Sequence, residues 1–292
     1  MSSSPIPVQG RNRAAIVAEL RRLLPRLESV GATRALPFGL TGLDAHLPQG
    51  GLTVGALHEV APQQHGDTPA AFGFLAALLA QFMARFTPST RPVLLIAAAH
   101  VFAEHGRPHG HGLHHLGLDP ARLILVETRN EKQALWAMEE ALRSGVPAAV
   151  GSVAARLDLK ASQRLQLTAG ETGLPLLLLR PVAAHVPAKA CPGLDPGWAP
   201  VRRQGHAPIS EDASAAATRW RIGAAEAARD RFGLVTHTRW NVRLERCRNG
   251  RPGDWLVEFD HAAYRFSLAA ALADPALPRG AESSSKLLQR AG

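Results

Sequence analysis

Four short apolar runs, residues 91–99 (RPVLLIAAA), 122–127 (RLILVE), 147–154 (PAAVGSVA) and 174–182 (LPLLLLRPV), constrain this chain more than any other feature. Each is far shorter than the roughly 18 apolar residues of a membrane span and lacks the polar alternation of a half-exposed strand. Residues 91–99 and 174–182 therefore read as strands buried on both faces, and 122–127 and 147–154 as further strands. Helix-patterned segments lie between them: 131–145 (EKQALWAMEEALRSG), closed by a glycine, and 157–169. Residues 57–62 (LHEVAP) add a short strand, and 68–86 a strongly apolar helix opened by a threonine suited to capping. Strand and helix in alternation give the α/β class, a mostly parallel central sheet flanked by helices.

The pattern changes at both ends. Residues 11–30 read as a basic amphipathic helix, with Ile16, Leu20, Leu23 and Leu24 at helical spacing among Arg13, Arg21, Arg22 and Arg26, and with Pro25 kinking or ending it. Ile16, Leu20, Arg21, Leu23 and Leu24 are its candidate partner-binding residues. Residues 187–215, rich in Pro, Gly and Ala, read as a long mobile loop. Beyond it 217–225, 238–247 and 254–260 read as strands, the last two forming a β-hairpin across the turn 249–253 (NGRPG). The chain divides into an N-terminal interaction segment, 1–34, an α/β core, 35–268, and a polar tail, 269–292, that reads as disordered. No apolar stretch of membrane length and no secretory h-region is seen, so a cytoplasmic protein without membrane contact is expected. Cys191 and Cys247 alone exclude a disulfide framework and any zinc site built from several thiolates.

The formal charge is +9, from 33 Lys and Arg against 24 Asp and Glu. Lysine occurs only at Lys132, Lys160, Lys189 and Lys286, so the excess is arginine. Between positions 202 and 251 eleven arginines face five carboxylates, with Trp220 and Trp240 among them and Trp255 just beyond. Arg219, Arg221, Arg239, Arg243, Arg246, Arg248 and Arg251 are candidate contacts to single-stranded DNA, by phosphate pairing and by stacking on the tryptophans. The competing reading puts the tryptophans in the core and the arginines in water.

A phosphate-binding loop needs glycines for backbone amides to wrap phosphates, a lysine for the terminal phosphate and a Ser or Thr for magnesium. Residues 61–68 (APQQHGDT) have the right length between strand and helix, but only Gly66 and Thr68 fit. Ala61 replaces the first glycine and Asp67 the lysine, which turns an attraction for triphosphate into a repulsion. No cofactor is expected. Six histidines between His100 and His115 raise a metal site, but only Glu104 adds a non-histidine ligand and the intervening glycines favour a mobile surface loop; no metal is expected. Ser152 lacks the second glycine and the base of a nucleophile elbow and reads as a small residue ending a buried strand. His65, Gly66 and Asp67 have no third member for a catalytic cluster.

Residues 36–62 (LPFGLTGLDAHLPQGGLTVGALHEVAP) resemble the segment leading into the phosphate loop of RecA-type recombinases, with Gly42-Leu43-Asp44 and Gly50-Gly51-Leu52 in the family's places. The resemblance continues through 96–100, 116–145, 219–223 and the Arg-rich hairpin, and covers about 35–266. It implies a RecA-like core in which Ala99 stands where the family activates water with a glutamate. Gly151 stands where it holds magnesium with an acid at a strand end. With Asp67, three parts of the ATPase machine are missing together, so no enzymatic activity is expected. The whole combination resembles the ImuA family, SulA-related components of bacterial mutagenesis cassettes. That resemblance implies a DNA-damage-induced accessory factor in translesion synthesis, acting with an ImuB-like protein, an error-prone C-family DNA polymerase and RecA, and nucleoid-associated when DNA is damaged. A SulA-type division inhibitor and a working DNA-dependent ATPase of the recombinase superfamily are the alternatives.

Overall fold

Four consecutive leucines at 176–179 can all be buried only if both faces of their strand are covered, and the chain is arranged to do that. The computed structural model describes residues 34–86, 90–154, 157–181, 213–229, 232 and 235–269. The sequence-read helix 11–30, with Ile16, Leu20, Arg21, Leu23 and Leu24, lies outside them. So do most of 187–215 and the tail from 270 onward.

The elements run β1 (Ala35–Leu36), α1 (Thr41–Asp44), β2 (Leu52–Thr53), β3 (Leu57–Pro62), α2 (Thr68–Phe86), β4 (Val93–Ala98), α3 (Ala99–His105), α4 (Gly110–His115) and β5 (Leu123–Thr128). Next come α5 (Glu131–Ser144), β6 (Ala149–Val153), α6 (Leu159–Thr172), β7 (Leu176–Leu179), β8 (Thr218–Ala224), β9 (Ala228–Arg229), β10 (Val235–Cys247), β11 (Gly253–Asp260) and β12 (Arg265–Leu268). The strands of the large sheet lie in the order β12-β11-β10-β8-β3-β7-β6-β4-β5, and β9 pairs with β10. From β5 through to β8 the neighbours are parallel; β10, β11 and β12 continue the sheet antiparallel. The α/β class with a mostly parallel sheet and a C-terminal hairpin is thus the one the sequence implies.

Helix ends follow local chemistry. The Asn130 side chain accepts the Gln133 N–H at 3.0 Å to start α5, and Gly145, at φ +64°, ends it in the left-handed region. Asp158 starts α6 by accepting the Ala161 N–H. Helix α2, with the turn before it, is long and apolar enough by composition to cross a membrane, but Phe74, Leu75, Leu78, Leu79 and Phe82 bury their side chains against the sheet. Phe74 sits at the centre, its ring 5.7 Å from Trp240, 5.8 Å from Phe266 and 6.2 Å from Trp220. Each such side chain contributes about 1.5–3 kcal/mol by burial. Helices α5 and α6 cover the opposite face over Leu57, Ile96, Val150, Leu176 and Leu178.

Two expectations need correcting. The His- and Gly-rich stretch 100–117 is not loop throughout: it forms the short helices α3 and α4, because Val101, Phe102 and Leu113 bury apolar side chains. Trp220 and Trp240 do not interleave with arginines on one surface. In β8 the even positions Thr218, Trp220 and Ile222 face α2 and are buried, while Arg219 and Arg221 point to the other face, as period two requires.

Beneath the tryptophans lies a closed polar network. The His58 Nε2–H donates to the Thr53 carbonyl at 2.9 Å, so neutral Nδ1 accepts from the Thr218 hydroxyl at 2.8 Å, and Trp220 Nε1–H donates to the same hydroxyl oxygen at 2.8 Å. Burial drives the His58 pKa down to about 4 from 6.5, against the opposing hydrogen bond to Thr53. Between those values the unfolded chain binds a proton that the folded chain refuses. Stability from this group is therefore full above pH 6.5 and falls by about 3 kcal/mol as the pH drops to 4. Urea midpoints measured from pH 7 to pH 4 will show that fall, and His58→Leu, though less stable at pH 7, will show a shallower one.

Candidate functional site

The strand-to-helix loop after β3 is built to be filled by its own side chains. Gln63 donates its backbone N–H to the Ile222 carbonyl at 2.8 Å, and its side-chain amide occupies the space a Cβ at Gly223 would need. Asp67, only 5% exposed, accepts the Gln64 N–H at 3.2 Å and, from strand β8, the Ala224 N–H at 3.1 Å. The carboxylate in the lysine position is thus a clamp that ties the loop to the neighbouring strand. Thr68 turns its hydroxyl back on the His65 carbonyl at 3.1 Å, and Ala61 is buried in the strand. Gly66 has nothing within 4 Å of the place a Cβ would take, so it is not a close-approach glycine.

The recombinase-like pairs upstream also have packing roles. Asp44 accepts the N–H groups of Phe38, Gly39 and Leu40 at 2.9 to 3.0 Å and fixes the turn into α1. A Cβ at Gly51 would stand 2.5 Å from the Leu36 carbonyl oxygen, so only glycine lets β1 approach there. Ala99 lies just past the end of β4 as the exposed first residue of α3. Gly151 is not at a strand end as expected but in the middle of β6, where a Cβ would meet Leu79 Cδ1 at 2.7 Å and Leu95 Cδ1 at 3.2 Å. Apolar side chains fill the acidic place. Ser152 follows it, fully buried, and donates its hydroxyl to the Ile96 carbonyl at 2.9 Å.

The second constellation occupies the face of β8, β10 and β11 opposite α2. There Glu59, 1% exposed, pairs with Arg219 at 2.9 Å and Arg180 at 3.7 Å and accepts the Ser214 hydroxyl at 2.6 Å. Arg221 holds Glu245 through two hydrogen bonds of 3.0 and 3.2 Å. Arg239 is clasped by Glu258 at 2.5 Å, both partly buried. Arg243 and Asp254 pair at 2.6 Å in the open, 56% and 65% exposed. Arg246 donates to the Ser214 and Ala216 carbonyls at 2.6 and 3.0 Å, and burial, then the charge of Arg219, lowers its pKa. Arg248 and Arg251 lie at the hairpin end, donating to the Ala215 and Ala45 carbonyls at 3.4 Å. A cleft of about 590 Å³ is lined by Arg180, Arg219, Arg221, Arg243 and Arg246, with Glu59, Glu245 and Asp254 between them.

The structure therefore brings Arg219, Arg221, Arg243 and Arg246 together, sets Arg239 aside in its own ion pair, and puts Arg248 and Arg251 at the edge. Sequence reading missed Glu59 and Arg180, although a lone carboxylate inside the apolar run LHEVAP was a visible signal that a buried cation must face it. His109 and His111 stack at 5.9 Å and His115 packs on His261, but among the described residues no three His, Cys, Asp or Glu side chains are grouped to hold a metal ion.

If the loop is a clamp, restoring recombinase chemistry must damage it. Asp67→Lys removes two charge-assisted bonds, and Gly151→Asp buries an unpaired carboxylate among leucines; each is expected to lower unfolding free energy by about 2–4 kcal/mol without creating nucleotide binding. Urea denaturation and titration with a fluorescent ATP analogue check both.

No family model matches the sequence. The crystal structure of SulA from Pseudomonas aeruginosa is 24% identical and spans 42% of this chain and 96% of its own, with a TM-score of 0.34, too low to bear on the assignment. Protein ImuA from Caulobacter vibrioides, in strain NA1000 and in strain ATCC 19089, is 35% identical over 256 residues. The alignment spans 83% of this chain and 91% of each relative. With that identity over that span, the chain belongs to the ImuA family.

Proposed function

We propose that this protein is a non-catalytic accessory factor of bacterial SOS mutagenesis. It works in translesion DNA synthesis through protein contacts with an ImuB-like protein, RecA and an error-prone C-family polymerase, in the cytoplasm and on damaged nucleoids. The observation that carries the reading is membership of the ImuA family over most of the chain. The loop supports its non-catalytic part: phosphoryl transfer needs groups pre-positioned around a triphosphate, and here Asp67, Thr68 and Gly151 are each committed to the fold.

The test is affinity capture of the tagged protein from its own host after ultraviolet damage, with partners identified by mass spectrometry. Recovery of a polymerase-like protein with a C-family polymerase or RecA is the expected result. Recovery of the division-ring protein without any polymerase overturns it in favour of a division inhibitor. Phosphate release above background that co-purifies with the protein, with ATP, magnesium and DNA present, overturns the non-catalytic assignment.

A further inference from the structure

Strand β10 carries an irregularity that re-aims its arginines. Its register with β8 pairs Arg243 with Arg221 and Leu244 with Trp220, then skips a residue so that Arg246 pairs with Arg219. The extra residue, Glu245, is the bulge. Without it, alternation would place Glu245 opposite Arg219 and turn Arg246 to the α2 side. With it, two successive rungs each hold two arginines on the same face. The rungs are two residues apart on β8, about 6.7 Å along the strand. Like charges set side by side are unfavourable unless something anionic lies over them.

Among the described residues that line the cleft, five are arginines and three are carboxylates. Glu59 is enclosed beneath Arg219 and Arg180, and Glu245 is held by Arg221. Only the Arg243–Asp254 pair stands in water, where an ion pair is weak and a stronger anion displaces it. The large core aromatics on β8 and β10, Trp220 and Trp240, lie on the opposite face, so a ligand here meets charge and not stacking platforms.

We propose that this cleft holds the phosphodiester backbone of single-stranded DNA, with Arg243 and Arg246 contacting successive phosphates and Asp254 as a resident competitor. Phosphates repeat along a strand at a spacing of the same order as the rungs, whereas carboxylates on an acidic peptide alternate in direction. The cleft, of about 590 Å³, has room for a short stretch of one strand. Recognition through phosphates alone makes binding indifferent to base sequence and steeply dependent on salt. The inference stands apart from the partner reading, and its test uses no partner.

Fluorescence anisotropy of labelled oligo(dT) with the full chain, titrated between about 50 and about 200 mM salt, reads it out. Arg243→Gln, at an exposed position, is expected to weaken binding several-fold and to reduce the slope of log K against log salt by about 0.7, one phosphate contact. Asp254→Asn is expected to tighten binding several-fold. Arg129→Gln, an exposed position outside the cleft, makes the same change in net charge and is expected to leave affinity and salt slope nearly unchanged, which separates this cleft from adventitious attraction to a chain of net charge +9. No binding at the lowest salt, the same affinity in both cleft variants, or competition by poly-glutamate as strong as by unlabelled oligo(dT) overturns the proposal.

Discussion

The two halves of the sheet are joined along one seam, the parallel pairing of β3 with β8, and at that seam both strands bury polar side chains on both faces. His58 is the register partner of Thr218 and Glu59 of Arg219. On the α2 side the pair closes a neutral network of ring nitrogen, hydroxyl and indole. On the other side it closes an ion pair that reaches Arg180 and Ser214. Burying these groups costs several kcal/mol for each unpartnered charge, so the strands are stable together only in the register that satisfies all of them. A slip of one residue would swap His58 and Glu59 between faces, leaving a carboxylate under Trp220 and an imidazole under Arg219. The seam therefore specifies where the antiparallel half attaches and thereby where its arginines stand.

The nucleotide-loop region depends on the same attachment. Asp67 bonds to Ala224, the last residue of β8, and Gln63 packs on Gly223 and bonds to Ile222. A loop that in a working phosphate site presents its amides to a ligand here spends groups of its own on the next strand. The loop is held by bonds within the chain, from Asp67 to Gln64 and Ala224 and from Gln63 to Ile222. The positions that depart from the phosphate-loop pattern are used in packing: the leucines around Gly151 occupy the space that a side chain there would need.

How much of this was legible in the sequence depended on range. The buried strands were, because continuous apolar runs of four to eight residues flanked by helices have few other solutions. Asp67 was legible as an absence, the missing lysine, but not as a clamp, since its partner Ala224 is 157 residues away. The tryptophans were misassigned to the arginine surface although the alternation Thr218, Arg219, Trp220, Arg221, Ile222 already separates them by face; counting residue types along the segment hid a period of two. Helices α3 and α4 were obscured by glycines and histidines, whose weak helix propensity is overridden by the few apolar side chains that reach the core. The bulge at Glu245 has no local signature, because it arises from the register of a strand whose partner precedes it by two dozen positions.

The sheet also shows why one fold offers two unlike surfaces. Helices α5 and α6 cover the parallel half on the face away from α2, over Leu57, Ile96, Val150, Leu176 and Leu178. Strand β5, at the outer edge, leaves Ile124 and Leu125 half exposed with the edge of its backbone unpaired by any other described strand. The antiparallel half on the same face has no helix packed over it among the described residues, and its strands alternate accordingly, tryptophan and valine inward, arginine and glutamate outward. Apolar edge and charged face thus lie apart in one sheet, with the four strands β3, β7, β6 and β4 between β8 and β5. Contacts driven by burial and contacts driven by charge are thereby kept from competing for the same residues, which is the arrangement a scaffold needs if it is to hold two ligands of different chemistry at once.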